Sequence, residues 1–343
     1  MGNKARYHNL SLYRLIASIA IIIYHIFYLI VPKNIPYEML LSSGVQGLTL
    51  LSGMLYATKQ IKDNKSFYKN NAFKILIPAG IAILMMVVWN LIAWLIAPFR
   101  FDGFLSTFYS LRAYNQTLQI QIGNFWYVPM ILVCYFLTPF LQKARNTKGI
   151  CFSKILIITA ILIELFVTIK FYAPNMIIAY VVGYLIGTYK FEEHVNPTAK
   201  GLFNRLAIYT CLTFLFFALY YFSIESGNLS NPNSFIRMTT QALQRYSHTF
   251  IGMSTFLLII SGTSHLNKMQ KEPKILKFSD KYSYAFYLFN QAFMVGAMNV
   301  AGFANNIFLQ TLIVFAFTLA YAVLATNITT PILDLILKKK KNQ

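Results

Sequence analysis

Apolar residues in this chain neither alternate nor form a single stripe. They come in unbroken runs of about 20, each long enough to cross a hydrocarbon core of roughly 30 Å. Ten such runs are expected to be helices, at roughly 10–31, 38–58, 72–97, 124–142, 152–172, 174–190, 202–224, 243–265, 277–298 and 304–336. The pattern predicts an all-α, polytopic integral membrane protein forming a single membrane-embedded domain over 1–343. A membrane barrel would show short alternating segments instead. The third and tenth runs exceed a simple span, which predicts tilt or an interfacial overhang. Two outer loops, 98–123 and 225–242, are long and polar-aromatic, as functional loops often are.

Charge adds an orientation. With the N-terminus placed in the cytoplasm, 23 of the 30 Lys and Arg residues fall on the cytoplasmic side and six on the other, with Arg14 inside a span. That asymmetry is the positive-inside signal, and it predicts both termini cytoplasmic. The net charge of +20 is then explained by topology and anionic headgroups, so no nucleic-acid partner is expected. Cys134, Cys151 and Cys211 show no paired spacing, so neither a disulfide frame nor a metal site is expected. The first run is too long for a signal peptide and lacks a cleavage site, so it reads as a retained helix. Lys outnumbers Arg 22 to eight, which, with rich Ile and Asn usage, suggests an AT-rich bacterial genome and a cytoplasmic membrane.

The chemistry begins in the first helix, "YRLIASIAIIIYH", where Arg14 and His25 interrupt an apolar run. Eleven residues at 100° each bring the second side chain about 20° past three full turns, so both share one face. The rise between them is about 16 Å. One reading has Arg14 snorkelling to the headgroups and His25 bonding a neighbouring helix. The other is functional. Arg suits phosphate through its planar fork of donors, and His suits proton transfer near neutral pH. That separation would fit coenzyme A, which carries phosphates at one end and an acyl thioester at the other. Glu164, in the middle of the fifth span, is a functional candidate as an intramembrane acid, but it has no partner visible in the sequence. Asn90 and Gln291 are expected to bond between helices. His8, His194, His248 and His265 all fall near the ends of spans or in loops.

Arg14-x10-His25 resembles the signature of the acyltransferase-3 family of membrane acyltransferases. "GVQGLTLLSG" (44–53) is similar to that family's second-helix block, usually GVxxFFxxSG, with Leu48, Thr49 and Gln46 departing from it. "YKNNAFKILIP" (68–78) resembles its basic stretch before a proline, although only Lys69 and Lys74 are charged. "NFWYVPMILVCYFLTP" (124–139) and "DKYSYAFYLFNQ" (280–291) resemble two later blocks, and Asn290 stands where many members carry His. The resemblance implies an O-acyltransferase of the acetyl class that uses acetyl-CoA or another acyl-CoA as co-substrate with no permanently bound cofactor. The acceptor it implies is a hydroxyl of a polysaccharide repeat, a lipid-linked oligosaccharide or peptidoglycan. It implies His25 and Arg14 as catalytic residues, with Arg14, Ser52, Gly53, Lys69 and Lys74 at the donor. Trp126, Tyr127, Tyr284 and Asn290 are implied at the acceptor.

Each of those residues also has a plainer account. Ser52 and Gly53 suit close helix packing. Lys69 and Lys74 suit positive-inside charge, and Trp126 and Tyr127 suit the interfacial aromatic belt. A transporter or flippase for a lipid-linked glycan is the rival function, since transporters also bury Arg, His and Glu. They typically show inverted repeats and helices broken at matching positions, and neither is visible here. A docking scaffold without catalysis is the third reading.

Overall fold

Helix formation follows the apolar runs, because a backbone in lipid must satisfy its own hydrogen bonds. The computed structural model describes residues 7–30, 38–96, 123–171, 176–269, 271, 273–294, 299–300 and 304–338. It is 88 % helix, with no strand among the described residues. In chain order the helices are α1 (His8–Ile30), α2 (Glu38–Ser42), α3 (Gly44–Ala57), α4 (Asn64–Ile96) and α5 (Tyr127–Phe171). They continue as α6 (Ile177–Tyr189), α7 (Phe191–Val195), α8 (Ala199–Glu225), α9 (Ser234–Gly262), α10 (Lys274–Phe289) and α11 (Ile307–Lys338). Among the described residues, six segments are long and apolar enough to cross a membrane: His8–Tyr28, Met39–Ala57, Asn64–Trp89, Tyr127–Asn146, Ala199–Glu225 and Ile307–Leu337. Pro78, Pro139 and Pro331 lie inside α4, α5 and α11, where neighbouring helices can take up the freed backbone groups.

Several boundaries differ from the sequence reading. The fourth and fifth expected spans form one continuous 45-residue helix, α5. The linking residues "KARNTKG" contain no proline and begin with good helix formers, so their polarity does not stop the helix. The expected outer loop 225–242 is short. Gly227 turns the chain at φ 65°, and α9 already starts at Ser234. Asn233 caps it, its side-chain oxygen accepting from the backbone of Phe235 and Ile236. The second span is divided at Ser43 into α2 and α3. The ninth stops at Phe289, short of the expected 298. The loop 98–123 lies almost wholly outside the described residues.

The contacts group the chain into two compact units, each assembled from three separated segments. The first holds Met1–Ala17, Met39–Asn64 and Val133–Ser279. Its core is α3 packed against α6 and α9, with α8 against α9. The contact between α3 and α6 is backbone to backbone. A methyl group at Gly53 would meet the Tyr180 carbonyl, one at Gly183 the Leu50 carbonyl, and one at Gly187 the Met54 carbonyl. Phe203, Phe214 and Phe222 of α8 stand at least 64 % exposed, an apolar surface suited to lipid.

The second unit holds Ser18–Glu38, Lys65–Leu132 and Asp280–Gln343. Tyr321 of α11 is the hub of its aromatic core. It lies 4.9 Å from Phe293, 5.8 Å from Phe289 and 6.3 Å from Trp89, in edge-on arrangements that suit the ring quadrupoles. Helix α1 contributes to both units, the division falling between Ala17 and Ser18.

Candidate active site

Helix α1 runs unbroken from His8 to Ile30 and carries Arg14 in its first-unit part and His25 in its second-unit part. Arg14 is half-buried and His25 is 9 % exposed. The Nδ1 atom of His25 lies 2.8 Å from the carbonyl oxygen of Ile21, one turn earlier. A carbonyl can only accept, so Nδ1 carries the hydrogen and donates it. In the neutral ring the lone pair then resides on Nε2, which becomes the nitrogen able to take a proton or attack a carbonyl carbon. Tyr24 flanks the ring edge-on, with centroids 4.9 Å apart.

Of the residues expected at the donor, Ser52 donates its hydroxyl back to the Leu48 carbonyl at 3.0 Å. Gly53 forms the close contact between α3 and α6 described above. Lys69 and Lys74 are exposed on α4, with Lys69 Nζ 5.5 Å above the Phe73 ring. Arg14, Ser52 and Gly53 belong to the first unit, and His25, Lys69 and Lys74 to the second.

Three of the four residues expected at the acceptor are linked in the second unit. Trp126 meets Tyr127 edge-on at 6.2 Å. Tyr127 packs on Tyr287 at 5.2 Å, one turn beyond Tyr284 on α10. The Tyr284 hydroxyl donates to the Ile75 carbonyl of α4 at 3.0 Å. Asn290 is fully buried in the turn that ends α10.

Two features escaped the sequence. Glu164 has a partner after all: its carboxylate accepts from the backbone N–H of Ile177, at the start of α6. His248, expected near the end of a span, lies near the midpoint of the 29-residue α9, because that helix begins nine residues earlier than its span. Only the tertiary fold reveals either one.

No curated protein and no solved structure shows a significant match to the chain. A family model described as an acyltransferase domain does match, over residues 7–327. That match takes in α1 with Arg14 and His25 and every further block quoted above. The all-helical apolar architecture and the extent of the match together establish that this chain is a membrane acyltransferase belonging to the acyltransferase-3 family.

Proposed function

We propose that this membrane acyltransferase moves an acyl group, in the first instance acetyl, from a cytoplasmic acyl-CoA to a hydroxyl of a cell-surface or lipid-linked glycan. The observation that carries the reading is the hydrogen bond from His25 Nδ1–H to the Ile21 carbonyl. It leaves the basic nitrogen of a buried imidazole unspent.

Nε2 of His25 takes the proton of the acceptor hydroxyl as its oxygen attacks the thioester carbonyl carbon. The C–S bond breaks, and the departing thiolate of coenzyme A recovers the proton from the imidazolium. In a nucleophilic variant the same Nε2 would first form an acyl-imidazole, which the hydroxyl then opens. Arg14 binds a phosphate of the donor through its guanidinium fork. Lys69 and Lys74 raise the local concentration of the anionic donor. Trp126, Tyr127 and Tyr284 offer aromatic faces to sugar rings, and Asn290 orients the acceptor. A bacterial polysaccharide repeat is the acceptor class we favour, with the protein in the cytoplasmic membrane and both termini inside.

The test is acyl transfer by purified protein. His25→Gln keeps a hydrogen-bonding side chain but no basicity, and should lose roughly 10²–10⁴-fold in rate. Near-wild-type glycan acylation by His25→Gln would overturn the assignment.

A further inference from the structure

His248 of α9 is gripped from two sides. Its Nε2 lies 2.9 Å from the hydroxyl of Ser42, and its Nδ1 lies 3.3 Å from the side-chain amide nitrogen of Gln46. Ser42 is the last residue of α2 and Gln46 lies in the first turn of α3, on either side of the break at Ser43. Gly252, one turn beyond His248, accounts for the approach. A Cβ there would meet the Ser43 carbonyl and sit 2.8 Å from Gln46 Cβ. Glycine lets α9 settle onto the α2–α3 junction, and that brings His248 over Ser42 and Gln46. All these residues lie within the first unit.

A hydroxyl within hydrogen-bond reach of an imidazole, itself oriented by a third polar group, is the arrangement of an activated nucleophile. The oxygen and nitrogen of a glutamine amide are assigned by their hydrogen-bond partners. The structure presents Gln46 Nε2 to the ring and leaves Oε1 buried without a partner; a half-turn of the amide lets Oε1 accept from Nδ1–H, and the lone pair of His248 then falls on Nε2 and faces the Ser42 hydroxyl. In the resting geometry that hydroxyl also lies 3.3 Å from the Met39 carbonyl, so its hydrogen has two possible acceptors.

We propose that Ser42, His248 and Gln46 form a second reactive centre, in which Ser42 is acylated by an acyl thioester. The proposal rests on the function above only for the class of donor. Ser42 Oγ attacks the thioester carbonyl carbon while His248 Nε2 takes the hydroxyl proton. The C–O bond forms, the C–S bond breaks, and the thiolate leaves with that proton, giving an O-acyl serine and a free thiol. An acceptor hydroxyl reverses the sequence: His248 takes its proton, the ester is transferred, and Ser42 Oγ is reprotonated.

The experiment uses the full-length protein and radiolabelled acetyl-CoA, with acid quenching, proteolysis and mass spectrometry. Label on the peptide carrying Ser42 is expected, resistant to neutral hydroxylamine as an oxygen ester should be. Ser42→Ala should abolish it, and His248→Gln should slow its appearance by roughly 10²–10⁴-fold. Ser42→Cys, the conservative variant, should convert the label to a thioester released by neutral hydroxylamine. Absence of label at Ser42 in protein that acylates glycan overturns the proposal and leaves the contacts as a helix–helix tie. Label at Ser42 without glycan turnover upholds this centre and sinks the glycan reading. Neither label nor turnover in folded protein removes both.

Discussion

The side chain of Glu164 in α5 accepts a hydrogen bond from the backbone N–H of Ile177, the first residue of α6. The first N–H groups of a helix have no partner within it, and Met176, at the cap position, supplies none from its side chain. A carboxylate 13 residues upstream does so instead, where the positive end of the helix dipole favours it. Glu164→Ala should therefore destabilise the fold by about 1–3 kcal/mol, because a buried N–H is left unpaired. Glu164→Gln, whose amide oxygen can still accept, should lose less. Thermal unfolding in detergent checks both, and equal losses would mean that charge rather than the hydrogen bond matters.

Gly53 offers a second stability test. Its backbone touches that of Tyr180, so Gly53→Ala must push α3 from α6 or distort both. Overpacking of this kind typically costs about 1–3 kcal/mol. Gly80, whose added Cβ would meet nothing, is the control, and Gly80→Ala should leave the melting temperature unchanged or slightly raised.

Arg14 tests the donor clamp. Arg14→Lys keeps the charge but loses the planar fork. Its acyl-CoA affinity should fall, with the oligomeric state and melting temperature held. Wild-type affinity in Arg14→Ala would remove the clamp from the mechanism.

The pH dependence of stability has a candidate in α7. His194 is buried, with the Tyr209 hydroxyl 3.1 Å from its Nδ1. Burial is the main cause that lowers its pKa from 6.5 to about 4, aided by the nearby Arg205 and Lys190 and opposed by Glu193. The unfolded chain thus binds a proton that the folded one refuses across that interval. Stability should be constant above about pH 6.5 and decline as the pH falls toward about 4. His194→Gln should flatten that decline in a pH series of melting curves.

Orientation can be read by cysteine labelling in a background free of native cysteines. Cysteine at Lys65 or Lys271 should react only with reagents admitted to the cytoplasm, and at Ser230 only from outside. Outside labelling at Lys65 would reverse the topology and move the donor to the wrong face.

What the sequence disclosed and what it hid differ in kind. The helices were legible because lipid demands long apolar runs, and Arg14 and His25 stood out because they break one. Continuity through "KARNTKG" was not legible, since charge reports exposure and says little about helix ends. The Ser42–His248 contact spans 206 residues, and nothing local in either segment announces the other. Glu164 was conspicuous as a buried acid, yet its partner is a backbone N–H, a group every residue except proline carries. Gly53 is legible only as a small residue, and the close approach of α6 gives that smallness its packing role.

The bond between His25 and Ile21 has a consequence for biogenesis. It joins residues four apart on one helix, so it requires no other part of the protein. Helices in a bilayer form before they associate, because the lipid leaves their backbones no alternative. The first helix can therefore enter the membrane with the nitrogen that will bear the lone pair already chosen. Later assembly then governs what reaches that nitrogen, while its identity is inherited from a nascent segment of a single turn.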